Sequence, residues 1–167
     1  MQRLPATRGG SSVRRSVSVS SDGILRRLEE DGIQNLWVIY HDYSGRSCGK
    51  TVPPRRFAAA FERGVVFARA NVDFNLDNHI APGSVFTADT GDVLAVGDAA
   101  SYALVPYRHA TGRVHAFLRD FDGSEWMGCP RTRLQRRVQA YAERGLAYEW
   151  ASSPSSCCSS APATEST

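Results

Sequence analysis

The chain of 167 residues is long enough for one domain with a modest hydrophobic core. Its apolar content of 42% and charged content of 22% are typical of a soluble globular protein, and no apolar run is long enough to cross a bilayer. The net charge of +3 arises at the ends, because residues 22–150 hold equal numbers of basic and acidic side chains, so nucleic-acid binding by the folded part is not expected.

The two ends differ in composition from the centre. Residues 1–21 are rich in Arg and Ser, contain no acid, and are predicted to be a disordered extension or the product of a misassigned start codon, although a transit peptide has a similar composition. Residues 151–167 are a low-complexity tail of Ser, Ala, Pro and Cys. The four cysteines lack CxxC spacing, so we expect reduced thiols in a cytoplasmic protein rather than a zinc site.

The first half of the centre predicts a helix, a hairpin and a second helix. A helix follows Ser21-Asp22, with Ile24, Leu25 and Leu28 at helical spacing and Gly32 as its stop. The dense β-branched and aromatic run at residues 35–40 is typical of a buried strand, and residues 46–52 return as its hairpin partner after the turn at 42–45. Pro53-Pro54 opens a short helix that Gly64 ends.

The second half predicts strands around a long loop and a last helix. Strands are expected at 65–67, 92–96, 102–105 and 113–119, and the Asp-, Asn- and Gly-rich residues 68–91 are expected to form a functional or mobile loop. Pro130 starts a helix that Gly145 ends, with Leu134, Val138 and Tyr141 on one face. The order of elements predicts a small α+β domain with a mixed sheet.

Several segments in a fixed order resemble the glutamine synthetase family. The residues Asp42-Tyr-Ser-Gly-Arg-Ser-Cys-Gly-Lys50-Thr-Val-Pro53 are similar to a hairpin motif of that family, "D-x-x-G…R-G-K-x-x-P" followed by a helix. The resemblance covers roughly residues 24–148 and continues in five further segments: 64–67, 91–98, 121–126, Cys129-Pro-Arg131 before a helix, and Gly145-Leu146. It implies a β-grasp-like mixed sheet with two or three helices.

The resemblance implies an ATP-dependent carbon–nitrogen ligase. In this family ATP phosphorylates the γ-carboxylate of glutamate, and ammonia displaces the phosphate to give glutamine, the reaction of nitrogen assimilation. The cofactors implied are ATP and Mg²⁺ or Mn²⁺, held by glutamates of a large catalytic domain. The β-grasp domain closes the site of the neighbouring subunit in a ring-shaped homo-oligomer, so the partners implied are glutamate, ammonia or an amine, and further copies of the chain.

The family pattern stops where metal-binding glutamates are expected. Ser153 and Ser155 stand in the place of the family's "E-x-E-F" glutamates, and a serine hydroxyl does not replace an ionised carboxylate on a hard dication. We therefore expect no metal site and no catalytic residue in this chain, no tight binding of cofactors, and no activity of the chain alone. A single-base deletion in the gene after codon 152 would shift the reading frame and produce the serines observed here. The nucleotide sequence tests that hypothesis.

The predicted organisation has four parts. They are a disordered extension at 1–21, a glutamine synthetase-like β-grasp domain at 22–128, the first helix and start of a truncated catalytic domain at 129–150, and a tail at 151–167 that a frameshift would explain. Removed from its catalytic domain, such a domain is expected to expose an apolar patch and to associate.

The candidate substrate-binding residues are two loop carboxylates. In many members of the family an Asp just after the strand Phe helps to bind ammonium, and Ala68 occupies that position here. An amine acceptor becomes more plausible, with Asp73 and Asp77 supplying the negative charge, although both are equally typical of solvated loop carboxylates. His79 is expected to be exposed, and Lys50 to have a structural or interface role.

Four further side chains carry expectations of their own. Arg131 follows Pro130 at a helix N-terminus, where its charge opposes the helix dipole, so we expect it to pair with a carboxylate. Trp37, Tyr40 and Phe57 are expected in the core rather than stacked on a ligand.

Two classes of function remain open. The first is the N-terminal part of a glutamine synthetase-like ligase that uses ammonia, or of a relative that joins glutamate to a polyamine or another amine. The second is a non-catalytic β-grasp remnant.

Overall fold

The computed structural model describes residues 21–75 and 77–146. These residues form three α-helices and six strands, which confirms the predicted α+β class with a mixed sheet. In chain order the elements are α1 (Ser21–Glu30), β1 (Asn35–His41), β2 (Ser47–Val52), α2 (Phe57–Glu62), β3 (Val65–Ala68), β4 (Asp92–Gly97), β5 (Ala103–Leu104), β6 (Thr111–Arg119) and α3 (Pro130–Glu143). Residues 1–20 of the predicted extension at 1–21, residues 147–150 of the predicted part at 129–150, and the whole predicted tail at 151–167 lie outside the described residues.

The sheet has the order β2-β1-β6-β4-β3, with β5 paired to β6. The central strands β1 and β6 are parallel, whereas the pairs β1–β2, β6–β4, β4–β3 and β5–β6 are antiparallel. Successive side chains of a strand point to opposite faces, and Leu36, Val38 and Tyr40 of β1 are buried on one of them. That face forms the core. The side chains on the other face of β1 are half-buried or exposed.

The core joins the buried face of the sheet to the apolar stripes of α1 and α2. Ile24 and Leu28 of α1 and Phe57 and Phe61 of α2 belong to one cluster with the sheet residues. These helical pairs are one turn apart, so each helix places both side chains of its pair on the same face. Tyr40 and Phe57 are core residues as predicted, but Trp37 is only half-buried, because it points to the other face of β1.

Lys50 links the two edge strands of the sheet. Its Nζ donates to the carbonyl oxygen of Val66 at 2.7 Å and lies 4.7 Å from the centroid of the Phe67 ring. Lys50 belongs to β2 and Val66 to β3, so the two edges of the sheet approach each other at this point. The side chain thus has the structural role that the sequence predicts.

Helix α3 presents apolar side chains to solvent. Leu134, Val138 and Tyr141 are 59%, 42% and 42% exposed and recur at helical spacing on one face. Two compact units, Met1–Arg133 and Leu134–Thr167, divide within this helix. The predicted exposed apolar patch and its self-association in solution stay predictions.

No helix in the described part of the chain is long and apolar enough to cross a membrane.

Gly64 is the glycine whose replacement we expect to be least tolerated. Its φ is +83°, and a Cβ there would lie 2.9 Å from the carbonyl oxygen of Ala95 on the neighbouring strand β4. Gly32 also has a positive φ, +62°, but a Cβ there meets nothing within 4 Å. Both Ala variants carry the left-handed backbone penalty, and only Gly64→Ala adds a backbone clash.

We therefore expect Gly64→Ala to lower the free energy of unfolding by about 1–3 kcal/mol more than Gly32→Ala. Urea denaturation followed by circular dichroism measures both variants against the parent chain. Equal losses would contradict the close approach of Gly64 to β4.

Candidate functional site

The turn between β1 and β2 is built on a buried carboxylate. The side chain of Asp42 is 0% exposed, and its Oδ1 accepts from the backbone N–H groups of Ser44 at 3.0 Å and Arg46 at 2.8 Å. Its Oδ2 accepts from Arg46 Nε at 3.0 Å. An aspartate that closes its own turn in this way is a common turn former. It fixes the direction in which the Arg46 guanidinium leaves the turn.

This turn makes hydrogen bonds to the long loop after β3, residues 69–91. The N–H of Tyr43 donates to the carbonyl oxygen of Val72 at 2.9 Å, and Ser44 Oγ donates to that of Phe74 at 3.2 Å. Arg46 Nη1 donates to Asn78 Oδ1, and its guanidinium carbon lies 5.9 Å from the centroid of the Phe74 ring. The predicted loop is therefore ordered on the hairpin and begins with a 3₁₀ turn, Arg69–Val72.

The loop holds the two predicted carboxylates in different settings. Asp73 ends the 3₁₀ turn, is half-buried, and its carbonyl oxygen accepts from Ala81 N at 2.9 Å. Asp77 lies at the exposed tip, where its N–H and that of His79 both donate to Asn75 Oδ1 at 3.0 Å. His79 is exposed as predicted. Asp73 thus lies at the base of the loop and Asp77 at its solvent-facing end.

Asp73 lies close to the ring of Tyr43. Partial burial raises the pKa of the Tyr43 hydroxyl, and the negative charge of Asp73 raises that pKa further. The hydroxyl donates to the carbonyl oxygen of Gly128 at 2.8 Å, so the ring spans from the loop to the segment that precedes α3. Of the two predicted carboxylates, Asp73 is therefore the one whose charge acts on Tyr43.

Two further rings complete what we call the aromatic–acidic cluster, defined as Tyr43, Asp73, Phe86 and Trp126. The ring centroid of Phe86 lies 6.4 Å from that of Tyr43 and 5.0 Å from that of Trp126, in an edge-on arrangement with the latter. Trp126 is buried, and the Arg69 guanidinium carbon lies 5.8 Å from the centroid of its ring. Sequence reasoning missed Phe86, because a loop has no periodicity that marks a packed residue.

The cluster has the chemistry of a site for a cation or an amine. A carboxylate attracts a positive charge, and the faces of aromatic rings attract cations and pack against hydrocarbon groups. Ala68, at the end of β3, carries no charge, whereas many members of the family that the chain resembles have an aspartate at this position. Asp73 is a loop carboxylate that is half-buried and whose charge acts on the Tyr43 hydroxyl.

The carboxylate partner predicted for Arg131 is Asp98. Arg131 Nη2 and Asp98 Oδ2 are 2.6 Å apart, and the guanidinium carbon lies 4.8 Å from the centroid of the Phe117 ring. Asp98 also accepts from Ala100 N at 3.1 Å, which caps the 3₁₀ turn Ala99–Ser101. The ion pair therefore joins the start of α3 to the end of β4.

The described residues do not fit a divalent metal. Across 21–75 and 77–146, no group of three or more His, Cys, Asp and Glu side chains is arranged to hold an ion. A Mg²⁺ or Mn²⁺ site needs several oxygen ligands around one point. Ser153 and Ser155, where the resemblance predicts the loss of metal ligands, lie outside the described residues.

No family model matches the chain. A curated protein, the γ-glutamylanilide synthase of Acinetobacter sp, is 24% identical over 142 residues, which are 78% of this chain and 28% of that protein.

Three solved structures share the fold. The GmaS/ADP complex has a TM-score of 0.58 at 23% identity and covers 72% of this chain, and GmaS without ligand has a TM-score of 0.59 at 23% identity and covers 77%. A structure described as a novel glutamine synthase homolog has a TM-score of 0.60 at 22% identity and covers 67%. The matched regions are 26%, 27% and 27% of those chains, respectively.

The sequence motifs, the curated relative and the shared fold together confirm the resemblance to glutamine synthetase-like proteins. The chain spans little more than a quarter of the length of the curated relative.

Proposed function

We propose that this glutamine synthetase-like chain is the portion of a γ-glutamyl ligase that covers the acceptor side of the active site, and that the acceptor is an amine larger than ammonia. The observation that carries the proposal is the position of the negative charge in the segment after β3. Ala68 occupies the position that matches the family's ammonium-binding aspartate, whereas a carboxylate, Asp73, lies a few residues later near Tyr43. The curated relative, a γ-glutamylanilide synthase, supports an amine acceptor.

The reaction proposed has two steps. The γ-carboxylate of glutamate attacks the terminal phosphate of ATP and becomes an acyl phosphate, with ADP as the leaving group. The amine nitrogen then attacks the acyl carbon, phosphate leaves, and the nitrogen loses a proton to give the amide. Divalent metals neutralise the phosphoryl charge in such a transfer, and the described residues provide no cluster for them. The chemistry thus needs groups beyond the described part of this chain.

The cluster would bind the acceptor by charge and by shape. An alkylamine arrives mainly protonated, and the Asp73 carboxylate attracts that cation and is a group to which its proton can pass before attack. An arylamine arrives neutral, and its ring can pack on Phe86 and Tyr43 while its N–H groups donate to Asp73. Ammonia carries no hydrocarbon group, so the rings give it no apolar contact and favour an amine over it.

The test is a chimera in which this chain replaces the matching segment of a γ-glutamylanilide synthase. With glutamate, ATP and Mg²⁺, we expect it to form γ-glutamyl amides with aniline or alkylamines more efficiently than glutamine with ammonium. Mass spectrometry of the products and ADP release measure both reactions. Preference for ammonium would favour the alternative, a glutamate–ammonia ligase, and a folded chimera without any product would favour a non-catalytic remnant.

The two loop carboxylates are expected to respond differently in that chimera. Asp73→Asn removes the charge beside Tyr43 and should raise the KM for an alkylamine about tenfold, which corresponds to about 1.4 kcal/mol of binding. Asp77→Asn, the matched control at the exposed tip, should change the same KM by less than about twofold. Steady-state kinetics with the amine as the varied substrate provide the comparison, and a larger effect at Asp77 would overturn the assignment of Asp73.

A further inference from the structure

The face of the sheet opposite the helical core carries a second group of polar side chains. Alternate residues of β6, namely Arg113, His115 and Phe117, point to this face, while Val114, Ala116 and Leu118 are buried in the core. His41, at the end of β1, joins them, since its ring centroid lies 5.2 Å from that of His115. None of these residues belongs to the aromatic–acidic cluster.

The hydrogen bonds of His115 define which nitrogen carries its proton. Arg113 Nη1 lies 2.9 Å from His115 Nε2, and a guanidinium can only donate. Nε2 is therefore the acceptor, and in the neutral ring the proton is on Nδ1. Nδ1 is buried and has no hydrogen-bond partner among the described residues. His115 thus presents a buried N–H donor that no group of the described chain accepts.

Arg131 provides a second donor of the same kind. Its Nη2 is paired with Asp98 Oδ2 at 2.6 Å, and its guanidinium stacks on the Phe117 ring. Its Nε is buried and, within the described residues, also lacks an acceptor. A buried donor without an acceptor costs about 1–3 kcal/mol. His115 and Phe117 lie on the same face of β6, and the Arg131 guanidinium lies over the Phe117 ring, so both donors belong to the same region of this face.

The charges around these donors are mainly positive. Arg113 and Arg131 are both cationic, His41 and His115 become so on protonation, and Asp98 is the carboxylate that faces them. Burial lowers the pKa of His115, and the positive charges of Arg131, His41 and Arg113 lower it further, against the opposing effect of Asp98. Of the causes that act on this pKa, the opposing charge of Asp98 is the smallest.

We propose that Arg113, His115, His41 and Arg131 form a binding site for an oxyanion, a carboxylate or phosphate group held between the guanidinium groups and the imidazole of His115. An oxyanion has several lone pairs on one small group, so it can accept hydrogen bonds from more than one donor of this region. It also supplies the negative charge that the site lacks. A neutral acceptor would meet the hydrogen-bond need without the charge, which is why an anion fits better.

Side-chain NMR of the histidines in the full chain tests the proposal. Inorganic phosphate and acetate are titrated separately at constant ionic strength, with NaCl as the balancing salt. We expect the His115 ring signals to shift and saturate with at least one of them, and the pKa of His115 to rise in its presence, because an anion favours the protonated ring. The more effective anion identifies phosphate or carboxylate as the group recognised.

Matched arginine variants separate the site from general electrostatics. Arg113→Gln should weaken binding of the effective anion about tenfold, since it removes a charge-assisted donor. Arg55→Gln removes the same charge from an exposed position before α2 and should leave binding unchanged. Arg131→Gln should also weaken binding, and if loss of its pair with Asp98 unfolds the chain, Arg113→Gln alone carries the test. Linear shifts without saturation, or equal effects of Arg113→Gln and Arg55→Gln, would overturn the proposal.

Discussion

Replacing Asp42 with Ala should lower the free energy of unfolding by about 3 kcal/mol and release the long loop from the hairpin. The carboxylate is fully buried and accepts three hydrogen bonds, from Ser44 N and from the backbone and side chain of Arg46. Its removal leaves two N–H groups without their acceptor and a half-buried guanidinium without its counter-charge, and breaking such a pair costs several kcal/mol. Arg46 also contacts Asn78 and Phe74, so the loss extends into the loop.

Urea denaturation measures the stability of Asp42→Ala, and hydrogen exchange of residues 69–91 measures the release of the loop. Asp122→Ala is the matched control, because Asp122 accepts from Ser124 N at 2.9 Å in a similar turn but is exposed. It should lose much less stability and leave exchange in the loop unchanged. A stable Asp42→Ala with normal protection of the loop would show that the turn does not hold the loop in place.

Ala68→Asp in the chimera should move the acceptor preference toward ammonium by about tenfold or more. The substitution places a carboxylate where many members of the family that the chain resembles bind ammonium. A negative charge close to the small ammonium cation favours its binding. The amine should lose efficiency, because a charged side chain at the half-buried end of β3 opposes packing of a hydrocarbon group.

Ala68→Asn has nearly the same shape without the charge and is the control for crowding. The ratio of kcat/KM for ammonium to that for the amine is measured for both variants. The account predicts a rise with Asp and little change with Asn. An equal change in both would mean that size rather than charge at this position determines the acceptor.

The helices and strands were predictable from the sequence wherever burial of one face gives the apolar residues a regular spacing. The run at 35–40 becomes β1, and Gly32, Gly64 and Gly145 follow the helices that they were predicted to end. The strand predicted at 102–105 shortens to Ala103–Leu104, since a peripheral strand with one partner carries a weak pattern. The parallel pairing of β1 with β6 joins residues far apart in sequence, and no local signal specifies it.

The candidate site was predictable only in part. The composition of residues 68–91 marked a functional loop and named Asp73 and Asp77 together, but only the packing of the folded loop distinguishes the half-buried from the exposed carboxylate. The partner of Arg131 was predicted as a carboxylate by its place at a helix N-terminus, whereas its identity, Asp98, depends on the approach of β4. The oxyanion cluster arises from the alternation of β6 beside β1 and has no motif in the sequence.

The most direct test of the central claim is the acceptor specificity of the chimera. With glutamate, ATP and Mg²⁺ fixed, the initial rates with an amine and with ammonium are measured in parallel, and the products are identified by mass spectrometry. The account predicts a γ-glutamyl amide of the amine as the main product, with a preference that depends on Asp73. Glutamine as the main product, or an amine preference that survives Asp73→Asn unchanged, would contradict it.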